Sequence, residues 1–226
     1  MLESRIGEVN ERIAEACARA GRSREDVILL AVTKTVSREV VLEAVRAGHT
    51  VFGENRVQEA VAKYEGLLSR VQLHLIGHLQ SNKARLVPGV FSCVESIDSL
   101  HTAQALSHRL SAADSECRVL LQLNSSREAT KYGYADVETL LADADAIETL
   151  PGIRLTGVMT IGPFTEDVAA IARAFRDTRR AYELLQKQFG ESICVLSMGM
   201  TNDYEIAIAE GSTEVRVGTA IFGARQ

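Results

Sequence analysis

The chain has 226 residues with a formal net charge of −5, and 46% of its positions are hydrophobic and 24% charged. So apolar a composition with so little net charge excludes a disordered chain, and the acidic balance argues against a general nucleic-acid binder. The longest apolar run, Val27 to Val32, is far shorter than the roughly 20 residues needed to cross a bilayer.

The spacing of cysteines and histidines argues against disulfide and metal sites, and the N-terminal segment indicates the cellular compartment. The four cysteines lie far apart and form no C-x-x-C pair, so neither a disulfide framework nor a zinc knuckle is expected. His74 and His78 span a predicted strand end and not a helix, so we expect no metal site. Charged residues interrupt the N-terminal segment, which therefore does not resemble a signal peptide. We expect a cytoplasmic protein that binds no membrane.

Short apolar runs alternate with longer segments of helical period along the chain. An opening helix is predicted from Leu2 to about Ala20, because apolar residues recur there at spacings of three and four. The predicted strands are Val27 to Thr33, Thr50 to Phe52, Gln72 to Ile76, Val90 to Val94, Arg118 to Leu123, Arg154 to Met159, Ser192 to Leu196 and Glu214 to Val217. The later predicted helices are Arg38 to Ala47, Val57 to Leu68, Ser81 to Leu86, Leu100 to Leu110, Val137 to Leu150, Val168 to Phe189 and Asp203 to Ala209.

Strands that alternate with helices indicate an α/β protein with a parallel sheet, either a closed barrel or an open doubly wound sheet. Two observations favour the barrel. The first strand-to-helix turn carries no glycine-rich nucleotide fingerprint, and eight strands is the barrel number. We predict a single (β/α)8 barrel of the TIM type with an extra N-terminal helix, occupying residues 1–226 as one domain.

Lys34 is the most informative of the polar residues that follow the predicted strands. The active site of such a barrel lies at the carboxyl ends of its strands, where Lys34 closes an otherwise apolar run. A lysine desolvated in the barrel mouth favours the neutral amine that forms a Schiff base with an aldehyde. The alternative is a lysine that extends from the strand end into water.

Two further features point to an anionic ligand. Ser197-Met198-Gly199 and Gly218-Thr219 follow strands seven and eight, where barrels often hold a phosphate, although both are also compatible with ordinary turns and a helix cap. Arg216 alternates with valines and is predicted to face the barrel mouth. One interpretation is that Arg216 pairs with a carboxylate such as Glu54 or Glu205. The other is that it donates a hydrogen bond to a ring nitrogen of the ligand. Because arginine keeps its proton, that nitrogen would stay unprotonated and the ring would withdraw electrons less strongly.

Five segments together resemble a known family. They read AVTKT at 31–35, GENRVQE at 53–59, HLIGHLQSNK at 74–83, LSMGM at 196–200 and GSTEVRVGTAIFG at 211–223. They closely resemble the YggS/PROSC-like pyridoxal phosphate homeostasis proteins, which are related to the N-terminal barrel domain of alanine racemase. The likeness runs nearly end to end and implies a fold type III barrel without the C-terminal β-domain.

The resemblance assigns residues to the cofactor. It implies that Lys34 carries pyridoxal 5'-phosphate (PLP) as a Schiff base and that Arg216 faces the pyridine nitrogen. It implies further that Asn55 lies beside the ring or its hydroxyl. The residues implied for the phosphate are Ser197, Gly199, Gly218 and Thr219. Met198 and His78 are weaker candidates for the pocket lining, with packing and a loop hydrogen bond as their alternatives.

The resemblance implies a protein that buffers and delivers PLP and influences amino-acid and keto-acid balance, without an established catalytic reaction. Racemisation in the related enzymes needs a second base from another domain, and Gln226 follows Val217 by only nine residues, so we expect no such domain. The resemblance thus implies a monomeric carrier, with PLP-dependent apoenzymes as recipients.

Two other functions stay open. One is a racemase or another amino-acid enzyme with Tyr132, Tyr134 or Tyr204 as its second base. The other is a Schiff-base aldolase that acts on a phosphorylated sugar without a cofactor.

Overall fold

Eight parallel strands close into a barrel in the computed structural model of the chain, which describes residues 2–126, 128 and 131–223. Strand order follows chain order, and β1 pairs with β8 to complete the ring. The strands are β1 Ile28–Val32, β2 Val51–Glu54, β3 Gln72–Leu75, β4 Cys93–Ile97, β5 Cys117–Leu123, β6 Ile153–Thr160, β7 Val195–Met200 and β8 Glu214–Val217. The predicted barrel is confirmed; the predicted domain 1–226 also includes residues outside those described.

Helices cover the outside of the barrel, and one precedes it as predicted. They are α1 Leu2–Arg19, α2 Arg38–Arg46, α3 Val57–Lys63, α4 Leu100–Ala112, α5 Val137–Glu148, α6 Val168–Phe189, α7 Tyr204–Ala209 and α8 Thr219–Phe222. Between β3 and β4 the chain forms a 3-10 helix, Ser81–Leu86, where an α-helix would complete the repeat. Within the described ranges, no helix has both the length and the hydropathy to span a bilayer.

Helix α6 shows how local sequence produces this outer layer. Its buried positions recur every three or four residues, so that one face packs on the strands. They are Ile171, Ala174, Phe175, Thr178, Ala181 and Leu185. The helix begins after Asp167, whose side chain accepts hydrogen bonds from the Ala169 and Ala170 N–H groups. Such a cap contributes about 1 kcal/mol.

Side-chain alternation in the strands divides the protein into an apolar outer layer and a mixed barrel interior. In β8, Val215 and Val217 belong to the apolar core between strands and helices. Glu214 and Arg216 point to the opposite face, into the barrel, and both are buried. The predicted inward orientation of Arg216 follows from this alternation.

The bounds of β4 and β7 correct the sequence prediction. These strands begin at Cys93 and Val195, each three residues later than predicted, and continue through Glu95 and Ser197. Both polar residues therefore lie inside strands and not in the loops that follow them. The apolar pattern ended too early because these two side chains face a polar interior, which reverses the usual signal for a buried strand residue.

Candidate functional site

Lys34 lies in the turn directly after β1 and is half-buried at the carboxyl end of the barrel. The Val36 N–H closes this turn by donating to the Thr33 carbonyl at 3.0 Å. Thr35 adopts a left-handed backbone with φ of 67°, which is costly for a β-branched residue. Lys63 Nζ donates to the same Thr33 carbonyl at 2.8 Å. The backbone on either side of Lys34 is thus held in a fixed and strained shape.

A buried polar network supports that turn. The Glu54 carboxylate is fully buried and accepts hydrogen bonds from Lys63 Nζ at 2.8 Å and Thr33 Oγ1 at 2.7 Å. Thr33 Oγ1 also lies 2.7 Å from the Tyr64 hydroxyl. Burial raises the pKa of the Tyr64 hydroxyl, which therefore stays protonated. The predicted alternative pairing of Glu54 with Arg216 is wrong, because Lys63 neutralises this carboxylate.

Asn55 presents a buried acceptor at the end of β2. Its Oδ1 atom has no hydrogen-bond partner among the described residues. A Cβ atom on Gly77 would lie 2.2 Å from the Asn55 carbonyl oxygen, so glycine alone allows these two loops to touch. A buried acceptor without a donor is unfavourable by about 1–3 kcal/mol. A hydroxyl or N–H group of a ligand in the mouth would satisfy it.

The loop after β8 brings Gly218 and Thr219 to the start of α8. A Cβ atom on Gly218 would lie 3.2 Å from the Val32 carbonyl oxygen, so this loop packs tightly on the end of β1. That contact places Gly218 near Lys34 although the two are far apart in sequence. Thr219 is exposed at the first position of α8.

Within β7, Met198 and Gly199 serve packing. The Met198 side chain is fully buried in an apolar cluster between the strand and its covering helices, which agrees with the packing alternative, and its place in the pocket lining stays a prediction. The other buried members of this cluster are Ile171, Phe175, Leu196 and Ala207. Gly199 has φ of 98°, and a Cβ atom on it would lie 2.8 Å from Tyr204 Cα. Glycine at 199 thus lets α7 approach β7 closely.

Arg216 is 3% exposed and anchored at both ends of its guanidinium. Nη1 donates to Ser197 Oγ at 2.6 Å, and Nη2 donates to the Thr160 carbonyl at 2.6 Å. Ser197 Oγ in turn donates to Glu95 Oε2 at 2.7 Å. Glu205, the other predicted partner of Arg216, instead binds arginines of α1. The Ser197 hydroxyl therefore makes its contacts inside the barrel.

His74, Glu95 and Glu214 lie below Arg216 with potential ligand atoms within 4.8 Å of one another, a spacing that also suits a metal ion. The contacts of His74 and Glu95 favour a hydrogen-bond network, whereas the two buried Glu214 oxygens have no hydrogen-bond partner among the described residues. Arg118 Nη2 lies 3.3 Å from His74 Nε2. Arginine can only donate, so Nε2 of the neutral His74 ring accepts and the ring proton is on Nδ1. The Nδ1–H group donates a hydrogen bond to Glu95 Oε1 at 2.8 Å. Arg216, 3.9 Å from Glu95 Oε2, also repels a cation.

The buried groups share a proton. Burial and the Glu95 charge raise the pKa of Glu214 to about 8. Burial alone would lower the pKa of His74, but Glu214 and Glu95 outweigh it and raise that pKa. Burial would likewise raise the pKa of Glu95, but His74 and Arg216 lower it. One proton therefore stays on Glu214 or His74, and in either position it balances the charges of Glu95 and Arg216.

Glu214→Gln is expected to flatten the pH dependence of folding stability. The folded protein keeps a proton that the unfolded chain releases near pH 4.5, so this contribution is fully present below that pH and is lost as the pH rises to about 8. Urea unfolding at several pH values between about 5 and 9 measures the effect. The wild type should lose more stability than the variant over this interval, and equal losses would mean that Glu214 is already ionised when folded.

His78 and Tyr132 lie in the loops that follow β3 and β5, at the carboxyl end of the barrel. Their rings stack with centroids 3.8 Å apart and 8° between planes, and Tyr132 is 57% exposed. His78 Nδ1 lies 3.0 Å from Asp98 Oδ2 without hydrogen-bond alignment. Tyr134 and Tyr204 are both buried, Tyr134 against α5 and Tyr204 beneath α1. Of the three tyrosines considered as a second base, Tyr132 is the one placed at the mouth.

The sequence did not point to the cluster of His74, Glu95 and Glu214. Each sits in a short strand, and the residues that surround it come from other strands far away along the chain. The alternation of Glu214 and Arg216 with valines is the one local signal, because it indicates a polar barrel interior.

Comparisons with known proteins agree with this architecture. The chain matches the family "Alanine racemase, N-terminal domain" over residues 7–226. It is 44% identical over 225 residues to the pyridoxal phosphate homeostasis protein of Pseudomonas aeruginosa, covering 99% of this chain and 96% of the relative. A crystal structure of an unknown protein from Bifidobacterium adolescentis superposes with a TM-score of 0.93 and 41% identity, covering 98% and 94% of the two chains. PipY of Synechococcus elongatus, solved with PLP bound, superposes with a TM-score of 0.85 and 32% identity, covering 99% and 100%.

Proposed function

From the premise that the chain belongs to the family of pyridoxal phosphate homeostasis proteins, we propose that it binds PLP and buffers and delivers it in the cell. The observation that carries this proposal is Lys34. It is half-buried at the carboxyl end of a barrel that superposes over nearly its whole length on a relative solved with PLP bound. A lysine amine in that position is the group that an aldehyde cofactor requires.

The residues present fit the cofactor. PLP supplies an aldehyde that links covalently to an amine and a ring that withdraws electrons. Lys34 provides the amine, and the unpartnered Asn55 Oδ1 provides an acceptor for the ring hydroxyl. The residues proposed to surround the phosphate are Ser197, Gly199, Gly218 and Thr219. Of these, the glycines act by allowing the backbone to approach, and Gly218 supports the idea because it packs on the end of β1 beside Lys34.

We propose Arg216 as the donor to the ring nitrogen. Its guanidinium is fixed by Ser197 and Thr160, and arginine does not release its proton. The ring nitrogen would therefore stay unprotonated, which weakens stabilisation of a carbanion. A carrier or regulator fits this arrangement better than an amino-acid racemase does. The mouth offers Tyr132 as a second base, but its ring stacks on His78.

The cellular setting is also a proposal. We propose that residues 1–226 act as one domain and as a monomer in the cytoplasm, and that PLP-dependent apoenzymes receive the cofactor. Four free cysteines, three of them buried, support a reducing compartment.

An absorption spectrum of the protein mixed with PLP tests the binding proposal. A Schiff base absorbs visible light, and borohydride reduction followed by peptide mass mapping should place the adduct on the peptide that contains Lys34. A colourless protein or an adduct confined to other lysines would refute the proposal. Before PLP is added, a purified aldolase that needs no cofactor would be colourless.

A second assay separates the carrier from an enzyme. The PLP-loaded protein is incubated with single-enantiomer amino acids, and the products are resolved by chiral chromatography. We expect no turnover above that of free PLP. Racemisation that requires Lys34 would show that the protein is an enzyme.

A further inference from the structure

A line of buried polar contacts crosses the floor of the barrel. We call it the floor network, and its members are Arg118, His74, Glu95, Ser197 and Arg216, which come from β5, β3, β4, β7 and β8. Consecutive members lie 3.3, 2.8, 2.7 and 2.6 Å apart. All except Arg118 are at most 4% exposed. The network ends at the guanidinium that we assign to the ring nitrogen of the cofactor.

Glu95 is the centre of this network. It is fully buried, and each of its oxygens accepts one hydrogen bond, Oε1 from His74 Nδ1 and Oε2 from Ser197 Oγ. Its charge also faces Arg216, whose Nη1 lies 3.9 Å from Oε2. When the shared proton is on Glu214, Glu95 is the buried countercharge of Arg216.

The direction of the hydrogen bonds gives Glu95 its role. Ser197 Oγ can accept from Arg216 because its own proton is directed to Glu95. The other anchor, the Thr160 carbonyl, holds only Nη2. Two anchors fix the plane of a guanidinium, whereas one leaves it free to rotate.

We propose that Glu95 is a positioning residue that fixes the Arg216 guanidinium for its contact with bound PLP, acting through the Ser197 hydroxyl. This inference rests on the proposed function and deepens it. It gives the Ser197 hydroxyl a role in orienting Arg216 from inside the barrel, in addition to the phosphate role implied by the resemblance.

Glu95→Gln tests the proposal because it nearly preserves shape while reversing one hydrogen bond. The His74 Nδ1–H group needs an acceptor, so the amide oxygen of the new glutamine would face His74 and its amide nitrogen would face Ser197. Ser197 would then accept from the amide, and its own proton would lose the Glu95 acceptor, so the hydroxyl would have to turn and would disturb the lone pair that accepts from Arg216. Glu95→Asp, which keeps the charge on a shorter arm, is a second variant in case the glutamine variant folds poorly.

The main readout is the nitrogen NMR shift of PLP labelled with 15N in its ring, bound to each variant. In the wild type we expect an unprotonated, hydrogen-bonded nitrogen whose signal does not change between about pH 5 and about pH 7, below the range in which Glu214 loses its proton. In Glu95→Gln we expect the shift to move and to become pH-dependent. We also expect loss of cofactor to accelerate about tenfold, the scale of one hydrogen bond to a charged group. Glu95→Asp should change both quantities in the same direction but less.

Asp143→Ala is the control for a general loss of stability. Asp143 accepts hydrogen bonds from the Leu100 N–H and the Tyr134 hydroxyl, between helices outside the barrel. It should lower the melting temperature without changing the ring-nitrogen signal. A wild-type signal in both Glu95 variants would overturn the positioning role while leaving PLP binding intact. A wild type that forms no adduct at Lys34 would instead refute the proposed function, and with it the role assigned to Glu95.

Discussion

Lys34→Ala is expected to lose the visible absorption band and the borohydride-reducible adduct completely. The aldehyde of PLP forms its Schiff base with an amine, and Lys34 carries one in the half-buried turn directly after β1. Affinity should fall by a factor of at least about 100, because the remaining contacts to the phosphate and the ring are non-covalent. Spectral titration with PLP measures this affinity, and mass mapping after reduction identifies the modified peptide.

Lys187→Ala supplies the control for Lys34→Ala. Lys187 lies exposed on the last turn of α6, so it can react with free PLP only as a surface amine. Its removal should leave the spectrum and the affinity unchanged. If Lys34→Ala kept a saturable, reducible adduct of wild-type affinity, another lysine would have to carry the cofactor.

Gly199→Ala is expected to destabilise the protein by about 3 kcal/mol or more. Two effects add: the left-handed backbone at φ of 98° costs an alanine about 1–2 kcal/mol, and overpacking costs about 1–3 kcal/mol. The new Cβ would lie 2.6 Å from Ala207 Cβ and 2.8 Å from Tyr204 Cα, so α7 as a whole would have to move. In a chain of this size the melting temperature should drop by about 10 °C.

Gly190→Ala separates these two effects. Gly190 also has a left-handed backbone, with φ of 74°, but its added Cβ would meet none of the described atoms within 4 Å. This variant should therefore lose only the backbone cost of about 1–2 kcal/mol. Thermal unfolding of the two variants gives the difference, and similar melting temperatures would show that β7 and α7 are not tightly packed at Gly199.

The barrel could be predicted from sequence because its evidence is local. The alternation of apolar runs with helical periods specifies each βα unit without knowledge of its partners. Lys34 stands out for the same reason, as a charged residue that ends an apolar strand. The inward orientation of Arg216 also follows from a pattern of four residues in β8.

The partners of Arg216 could not be predicted, because they depend on strand register around the ring. Ser197 is level with Glu214, and Met200 with Arg216, across an irregularity between β7 and β8. No local pattern encodes that shift. The same limit explains why Glu54 and Glu205 were considered as partners: both are acidic, but one is neutralised by Lys63 and the other lies on the outside of the barrel.

The pairing of β1 with β8 has a consequence for how the protein is made. Lys34 follows the first strand and Gly218 the last, and they become neighbours only when these strands join. Contacts between such distant segments slow folding, because chain entropy is lost before the contacts can form. A ribosome-bound chain that has not yet released β8 lacks part of the proposed site, so under the proposed function cofactor loading would follow synthesis of the eighth strand. Under the proposed function, bound PLP would mark a chain whose barrel has closed.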